Sequence, residues 1–266
     1  MKLIDFARKI NNEITSVQSM PDMINNIRNI VSVAIVDEVF LNDCVNELIK
    51  NTKNILNINE SEPLYIDYKN KWRMNVFLWN PKSENHPHQH NTWSVSGVMH
   101  NKIKIKIFEK VNEEISVSKE LIAVEGKTGY LIPPCIHTLG NPDLSEYSIT
   151  LHVFCDSDLR TDKNGDTIWL GKNDPLDNID YSMVALRNLT SCLLISDKLS
   201  SNLQFDILEK IFTLGTPSIK LKSYKKMIRI NINKSEKYSS QLESVLSGDI
   251  LIKIREGNDK LYGREA

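Results

Sequence analysis

The chain has 266 residues, 25% charged and 41% hydrophobic, and its 33 basic against 34 acidic residues give a formal net charge of −1. That is the composition of a globular protein long enough for a sizeable core, and so even a balance offers no basic face for nucleic acid and no charge excess for an anionic membrane. The opening MKLIDFARKINNEI interrupts its apolar residues with charges, and no stretch approaches the roughly 18 apolar residues that span a bilayer. Cys44, Cys135, Cys155 and Cys192 lie far apart with no CxxC pair, against both a zinc knuckle and a disulfide framework. The expectation is a cytoplasmic protein with reduced thiols and a small-molecule partner; oligomeric state is open.

Residues 1 to 58 place apolar side chains at helical spacing: Leu3, Ile4, Phe6, Ala7 and Ile10; Met23, Ile24, Ile27 and Ile30; Val39, Phe40, Cys44, Leu48 and Ile49. These recurrences predict three amphipathic helices, separated around Ser19 to Asp22 and Val36 to Asp37, with Pro21 suited to the first turn of the second. From Leu64 the period falls to two. Met74, Val76 and Leu78 alternate with Arg73, Asn75, Phe77 and Trp79, and Ile103, Ile105 and Ile107 alternate with Lys102, Lys104 and Lys106, a lysine stripe that reads as a solvated strand face. Strand-like runs continue at Ile115 to Val117, Thr128 to Ile132 and Ser148 to Phe154, and the turn clusters NPKSEN, KVNEE, VEGK and NPDLSE space them as in a barrel or sandwich. Past Phe154, DKNG marks a turn between short strand candidates.

Residues 181 to 199 and 203 to 214 again look helical; two strand-like pieces, Ile228 to Ile232 and Ile250 to Ile254, then flank a helix at 239 to 246. The expectation is an α+β chain with N-terminal helices, an all-β centre and a small C-terminal α+β extension. Residues 1–180 would form the first domain and 181–266 the second, whose role is open.

The histidines carry the chemistry. All six fall between His86 and His152, within the strand-rich part. In NHPHQHNTW, His88 and His90 are two apart, so on a strand they face one side together, the spacing that brings two imidazoles to one metal ion. His86 shares their parity and is a weaker metal candidate, since Pro87 bends the chain beside it. His137, in EGKTGYLIPPCIHTLGN, would end a strand at a turn and project a third imidazole into a barrel mouth.

These residues resemble the cupin superfamily. His88-Gln89-His90 stand as its first motif, and Gly126, His137 and Asn141 fall at the spacing of its second, with Pro133 beside the place of that motif's proline. Ile132 and Pro134 replace a proline and a glycine of that pattern, and Ser94 and Val95 occupy the places of its glutamate. The missing glutamate, with Trp79 nine residues before His88, Trp93 after His90, and IPPCIHTLGNPDLSEYSITLHVF, is similar to the thiol dioxygenases of the cysteine dioxygenase type over residues 72 to 155.

The resemblance implies a central antiparallel cupin β-barrel of jelly-roll type. It further implies Fe(2+) on His88, His90 and His137, with O2 as co-substrate and a small thiol, cysteine-like or a derivative, converted to a sulfinate. Thr150, His152 and Phe154 stand where the family carries a Ser-x-His-x-Tyr series, so Thr150 and His152 are expected to be catalytic. Phe154, Phe77, Trp93 and Arg73 are expected to bind substrate, Arg73 being nearest to the family's carboxylate clamp and Lys71 a weaker candidate. The phenol is gone, and Val95 leaves no cysteine for a thioether crosslink. These departures leave two alternatives: another cupin metalloenzyme, acting on carbon or as an isomerase, and a non-catalytic ligand-sensing cupin.

Overall fold

The computed structural model describes residues 1–58, 62–111, 114–155, 167–170 and 180–263. The DKNG turn lies outside the described residues, as does part of KVNEE.

Three helices come first, α1 (Leu3–Thr15), α2 (Met20–Ala34) and α3 (Glu38–Ile58), as the apolar spacing requires. Ser19 caps α2 by accepting from the Asp22 amide (3.3 Å), with Pro21 in the first turn, and Asp37 accepts from the Phe40 amide (3.0 Å) at the head of α3. The strands follow: β1 (Tyr65–Asp67), β2 (Trp72–Trp79), β3 (His88–His90), β4 (Ser94–His100), β5 (Lys102–Val111), β6 (Glu114–Val124), β7 (Thr128–Leu131), β8 (Ile136–Gly140), β9 (Ser148–Cys155) and β10 (Thr167–Trp169). The chain then runs through α4 (Tyr181–Ile195), α5 (Ser201–Leu214), α6 (Pro217–Ile230), α7 (Ile232–Ser235), α8 (Ser239–Glu243) and α9 (Gly248–Tyr262). Among the described residues no helix is long and apolar enough to cross a membrane.

The strands form two antiparallel five-stranded sheets, ordered β1-β2-β9-β4-β7 and β10-β3-β8-β5-β6. Alternation divides the first sheet between two neighbours. Trp72, Met74, Val95, Met99, Ile149, Leu151 and Val153 belong to one buried cluster with Phe6, Ile10, Ile27, Val31, Phe40 and Leu48 of the N-terminal helices. That cluster continues into Leu189, Cys192, Leu208, Phe212, Tyr224 and Met227 of the C-terminal helices. The opposite parity, Arg73, Asn75, Phe77 and Trp79 on β2 with His152 and Phe154 on β9, lines a cavity shared with the second sheet.

Three expectations are corrected. The described pairings give two open sheets where a closed barrel was expected, because alternation sets which side chains face inward but not whether edge strands bond one another. The C-terminal extension is helical among the described residues, not α+β. Ile228 to Ile230 end α6, whose buried face is Ile219, Ser223 and Met227, and Ile250 to Ile254 lie in α9, where Ile250 and Ile252 are exposed while Ile254, Asn258 and Tyr262 turn inward. Both faces repeat every four residues, so the alternating isoleucines were a strand-like coincidence on a helix. Finally, the lysine stripe is not simply solvated, since Lys104 and Lys106 pair with Glu84 (3.7 and 2.9 Å).

α2 reaches β4 because position 97 is glycine. A Cβ there would lie 2.9 Å from Ile35 Cδ1 and 3.0 Å from Val31 Cγ1. Gly97→Val is therefore expected to overpack this seam and cost about 1–3 kcal/mol of stability in urea unfolding; an unchanged midpoint would show that α2 does not seat on β4 as described.

Candidate metal centre

The site starts from a three-residue strand. On β3, His88 and His90 share a face, and His88 lies directly opposite His137 of β8 in the antiparallel ladder, a register that brings cross-strand side chains within reach of each other. The ring centroids of His88 and His137 are 4.3 Å apart, those of His88 and His90 5.1 Å, and those of His90 and His137 5.3 Å. One nitrogen from each ring lies within 4.8 Å of the other two, and small side-chain rotations bring such a set onto one ion at ~2.1 Å. β8 runs on past His137 to Gly140, so this imidazole projects from a strand's start, not from the strand end expected.

Backbone carbonyls choose the tautomer. His88 Nδ1 is 2.9 Å from the His86 carbonyl, and His137 Nδ1 is 3.1 Å from the Cys135 carbonyl. A carbonyl only accepts, so each Nδ1 carries the proton and each Nε2 is left as the lone-pair nitrogen. Both rings thus use the carbonyl two residues upstream, the kind of outer support that orients metal-binding histidines. Burial pushes the His88 imidazolium below its usual value. His137 is pushed down to about 4 by burial and then by His88, and His90 to about 3 by burial and then by His88, His137, His152 and Arg73. All three are neutral at physiological pH.

The cavity beside them holds about 430 Å³ and is lined by, among others, Arg73, Phe77, Trp79, His152, Phe154 and Arg187. The Phe154 ring is 5.4 Å from His90 and stacks on His152 at 5.5 Å and 12°. Phe77 meets His152 edge-on at 5.1 Å, and the Arg73 guanidinium carbon is 5.5 Å from the Phe154 centroid. His152 is held at both nitrogens, Nδ1 2.7 Å from Ser96 Oγ and Nε2 2.8 Å from Thr150 Oγ1, while the Trp79 indole donates to the same Thr150 oxygen (2.8 Å). Burial pushes His152 down to about 3 as well. With both nitrogens engaged, it flanks the triad as a fixed neutral imidazole.

The structure thus gathers His88, His90, His137, His152, Arg73, Phe77 and Phe154 around one space, with Thr150 directly behind. Trp93 does not line the cavity: it is buried in the core on the helix side of the first sheet. His86 stays outside the triad with an exposed ring and contributes its carbonyl instead. Lys71 sits in the turn before β2 at φ 54° and is not among the lining residues. Sequence reasoning missed Ser96 and Arg187. Ser96 was readable, being on the parity of Ser94 and opposite the core-facing Val95, whereas Arg187 reaches the cavity through helix docking, which leaves no local signature.

No family model matches the chain, and no curated protein does. Among solved structures it is similar to a crystal structure of DMSP lyases (17% identity, 38% of this chain and 44% of that one, TM-score 0.29). It is also similar to a cupin superfamily protein from Desulfitobacterium hafniense (8% identity, 35% and 73%, TM-score 0.29), and to oxalate oxidase in complex with glycolate (14% identity, 46% and 63%, TM-score 0.32). The chain thus spans less than half of the DMSP lyase chain. What those proteins act on is their own property, and the reading of this chain rests on its own imidazoles.

An imidazole held neutral in the fold stabilises it only while the unfolded chain is also neutral. With 6.5 as the ordinary value, that contribution is complete above pH 6.5, and each unit of acidification below it removes about 1.4 kcal/mol per histidine until the folded value is reached. The metal-free chain is expected to lose urea resistance steadily from pH 6.5 to 5, and His152→Asn to lose it less steeply. A midpoint that stays flat across this range would sink the neutral-imidazole assignment.

Proposed function

We propose that the chain is a mononuclear non-haem iron(II) dioxygenase on a cupin-type scaffold, oxidising a small thiol to a sulfinate with both atoms of O2. The observation that carries this reading is the all-imidazole donor set: His88, His90 and His137 converge, and among the described residues no carboxylate joins them. Three neutral ligands leave a divalent ion its full charge, which favours an anionic thiolate beside it. Bound iron(II) would supply Lewis acidity to hold the thiol as thiolate and the redox capacity to use O2.

The protein's own residues account for the rest. His88 and His137 present Nε2 because their Nδ1 protons are committed to carbonyls. Phe77 and Phe154 make the facing wall apolar and keep water from the reacting sulfur. Arg73, on the same wall, takes the substrate's anionic group, and Thr150 and Ser96 hold His152 neutral and fixed against Phe154. An oxygenase acting on carbon would use the same three ligands, and the mass of the product separates the two.

Two results are expected. Wild type purifies with one iron per chain and His137→Ala with none; cysteine, cysteamine or 3-mercaptopropionate drives O2 uptake in wild type, with 32 mass units gained on sulfur. An iron-replete chain that consumes no O2 with any of these would overturn the thiol reading, and unchanged iron in His137→Ala would overturn the site. Arg73→Gln is expected to raise KM for an anionic thiol by about 10- to 100-fold, the loss of one charged hydrogen bond, with iron retained; an unchanged KM would remove Arg73 from the substrate site.

A further inference from the structure

Four side chains at the cavity form a run of hydrogen bonds whose direction is set by the one that can only donate. Trp79 of β2 begins it: its indole N–H donates to Thr150 Oγ1 at 2.8 Å and the ring offers no lone pair in return. Thr150 Oγ1 lies 2.8 Å from His152 Nε2, and His152 Nδ1 lies 2.7 Å from Ser96 Oγ. Ser96 of β4 stands directly opposite His152 of β9, and Thr150 shares the face of His152 two residues earlier.

Thr150 is 2% exposed, and among the described residues its hydroxyl meets only the indole and the imidazole. The indole cannot accept, so only His152 Nε2 can receive the Thr150 proton; the opposite tautomer would bury that proton unmet, which is costly. Nε2 is therefore the acceptor, and the neutral ring carries its proton on Nδ1, from which it donates to Ser96 Oγ. That bond uses a lone pair of Ser96 and leaves the serine's own proton over. Among the described residues Ser96 makes no second side-chain hydrogen bond, and it lines the cavity. Each link polarises the next, so the last O–H is a stronger donor than that of an isolated serine.

We propose that Ser96 is a substrate-binding residue that donates its hydroxyl proton to an acceptor oxygen of the bound ligand, and that Trp79, Thr150 and His152 are positioning residues that turn this proton into the cavity. That the oxygen belongs to the carboxylate of a thiol rests on the thiol-oxidising reading above; the direction of the relay does not. An ammonium group has no lone pair to receive the proton, so Ser96 favours a thiol acid over a thiol amine of similar length.

Two measurements on the full chain test this. With zinc loaded as a diamagnetic stand-in and isotope-labelled histidine, nitrogen NMR is expected to show His152 protonated at Nδ1 and bare at Nε2, its signals assigned by their loss in His152→Asn. A proton on Nε2 overturns the relay. Loaded with iron(II) and kept free of O2, wild type, Ser96→Ala, Ser96→Thr and Thr150→Val are titrated by calorimetry with 3-mercaptopropionate and cysteamine, with iron content and Tm recorded. Ser96→Ala is expected to weaken 3-mercaptopropionate at least tenfold and cysteamine less than twofold, at full iron content, and Ser96→Thr to recover part of the loss. Thr150→Val, isosteric and not among the lining residues, is expected to weaken 3-mercaptopropionate at least twofold through the relay. Equal loss for both thiols, no loss in Ser96→Ala, or no binding of 3-mercaptopropionate to wild type overturns the assignment of Ser96, and an unchanged affinity in Thr150→Val overturns the positioning role. If neither thiol is oxidised in air while 3-mercaptopropionate binding still depends on Ser96, the thiol-oxidising reading fails and the donor assignment stands.

Discussion

The site depends on the register of β3 against β8. A slip of one residue would turn His88 and His90 to the opposite face of their strand, and a strand of three residues has too few ladder bonds to resist this alone. The register is imposed from just upstream. The Asn141 amide donates to the Ser83 carbonyl (2.7 Å), the Asn85 amide to the Leu139 carbonyl (3.0 Å), and the Leu139 amide to Asn85 Oδ1 (2.7 Å). Gly140 permits this clasp, because a Cβ there would lie 2.7 Å from the Ser83 carbonyl oxygen. Glu84, held by Lys104, Lys106 and Thr138, locks the same segment from the side. The ion pairs are partly exposed and individually worth little; their value is that they converge on the residues that enter β3.

The other half of the site follows from how the first sheet is used. Its helix-facing side is filled by Trp72, Met74, Leu151 and Val153, so the sheet gets its stability from burial against helices. Its other side is released from packing and carries polar and aromatic groups at every second position. The helices are therefore part of what the cavity requires: without them the sheet would have to bury its second face in the space where the three imidazoles meet.

This division explains what could be read from sequence and what could not. The three N-terminal helices and strands β2, β5 and β9 were legible because one face of each is apolar over several repeats. His88, His90 and His137 were legible because their spacing is a local property of strands. The closed barrel was not, because pairing at sheet edges is decided by tertiary geometry. Trp93 was placed by its neighbourhood to His90 in sequence, yet it lies on the core parity with Val95 and Met99. The strands expected near Ile230 and Ile252 failed since short alternating apolar runs fit either period, and the deciding pattern, Ile219, Ser223 and Met227, includes a serine that hydropathy discounts.

The electrostatics of the triad bear on why it exists. His88 and His137 have their Nδ1 protons committed to carbonyls, so the nitrogens that converge are acceptors, and acceptors brought together in a buried site repel unless a cation lies among them. Two cations are available to such a cluster, a proton and a metal ion. A proton serves one ring at a time, and burial opposes it, as the values of about 4 for His137 and about 3 for His90 express. A metal ion engages all three nitrogens at once, and among the described residues no carboxylate joins the three imidazoles. Removing one imidazole would therefore relieve repulsion in the empty fold while abolishing the site, the signature of residues placed for ligand binding at the expense of stability.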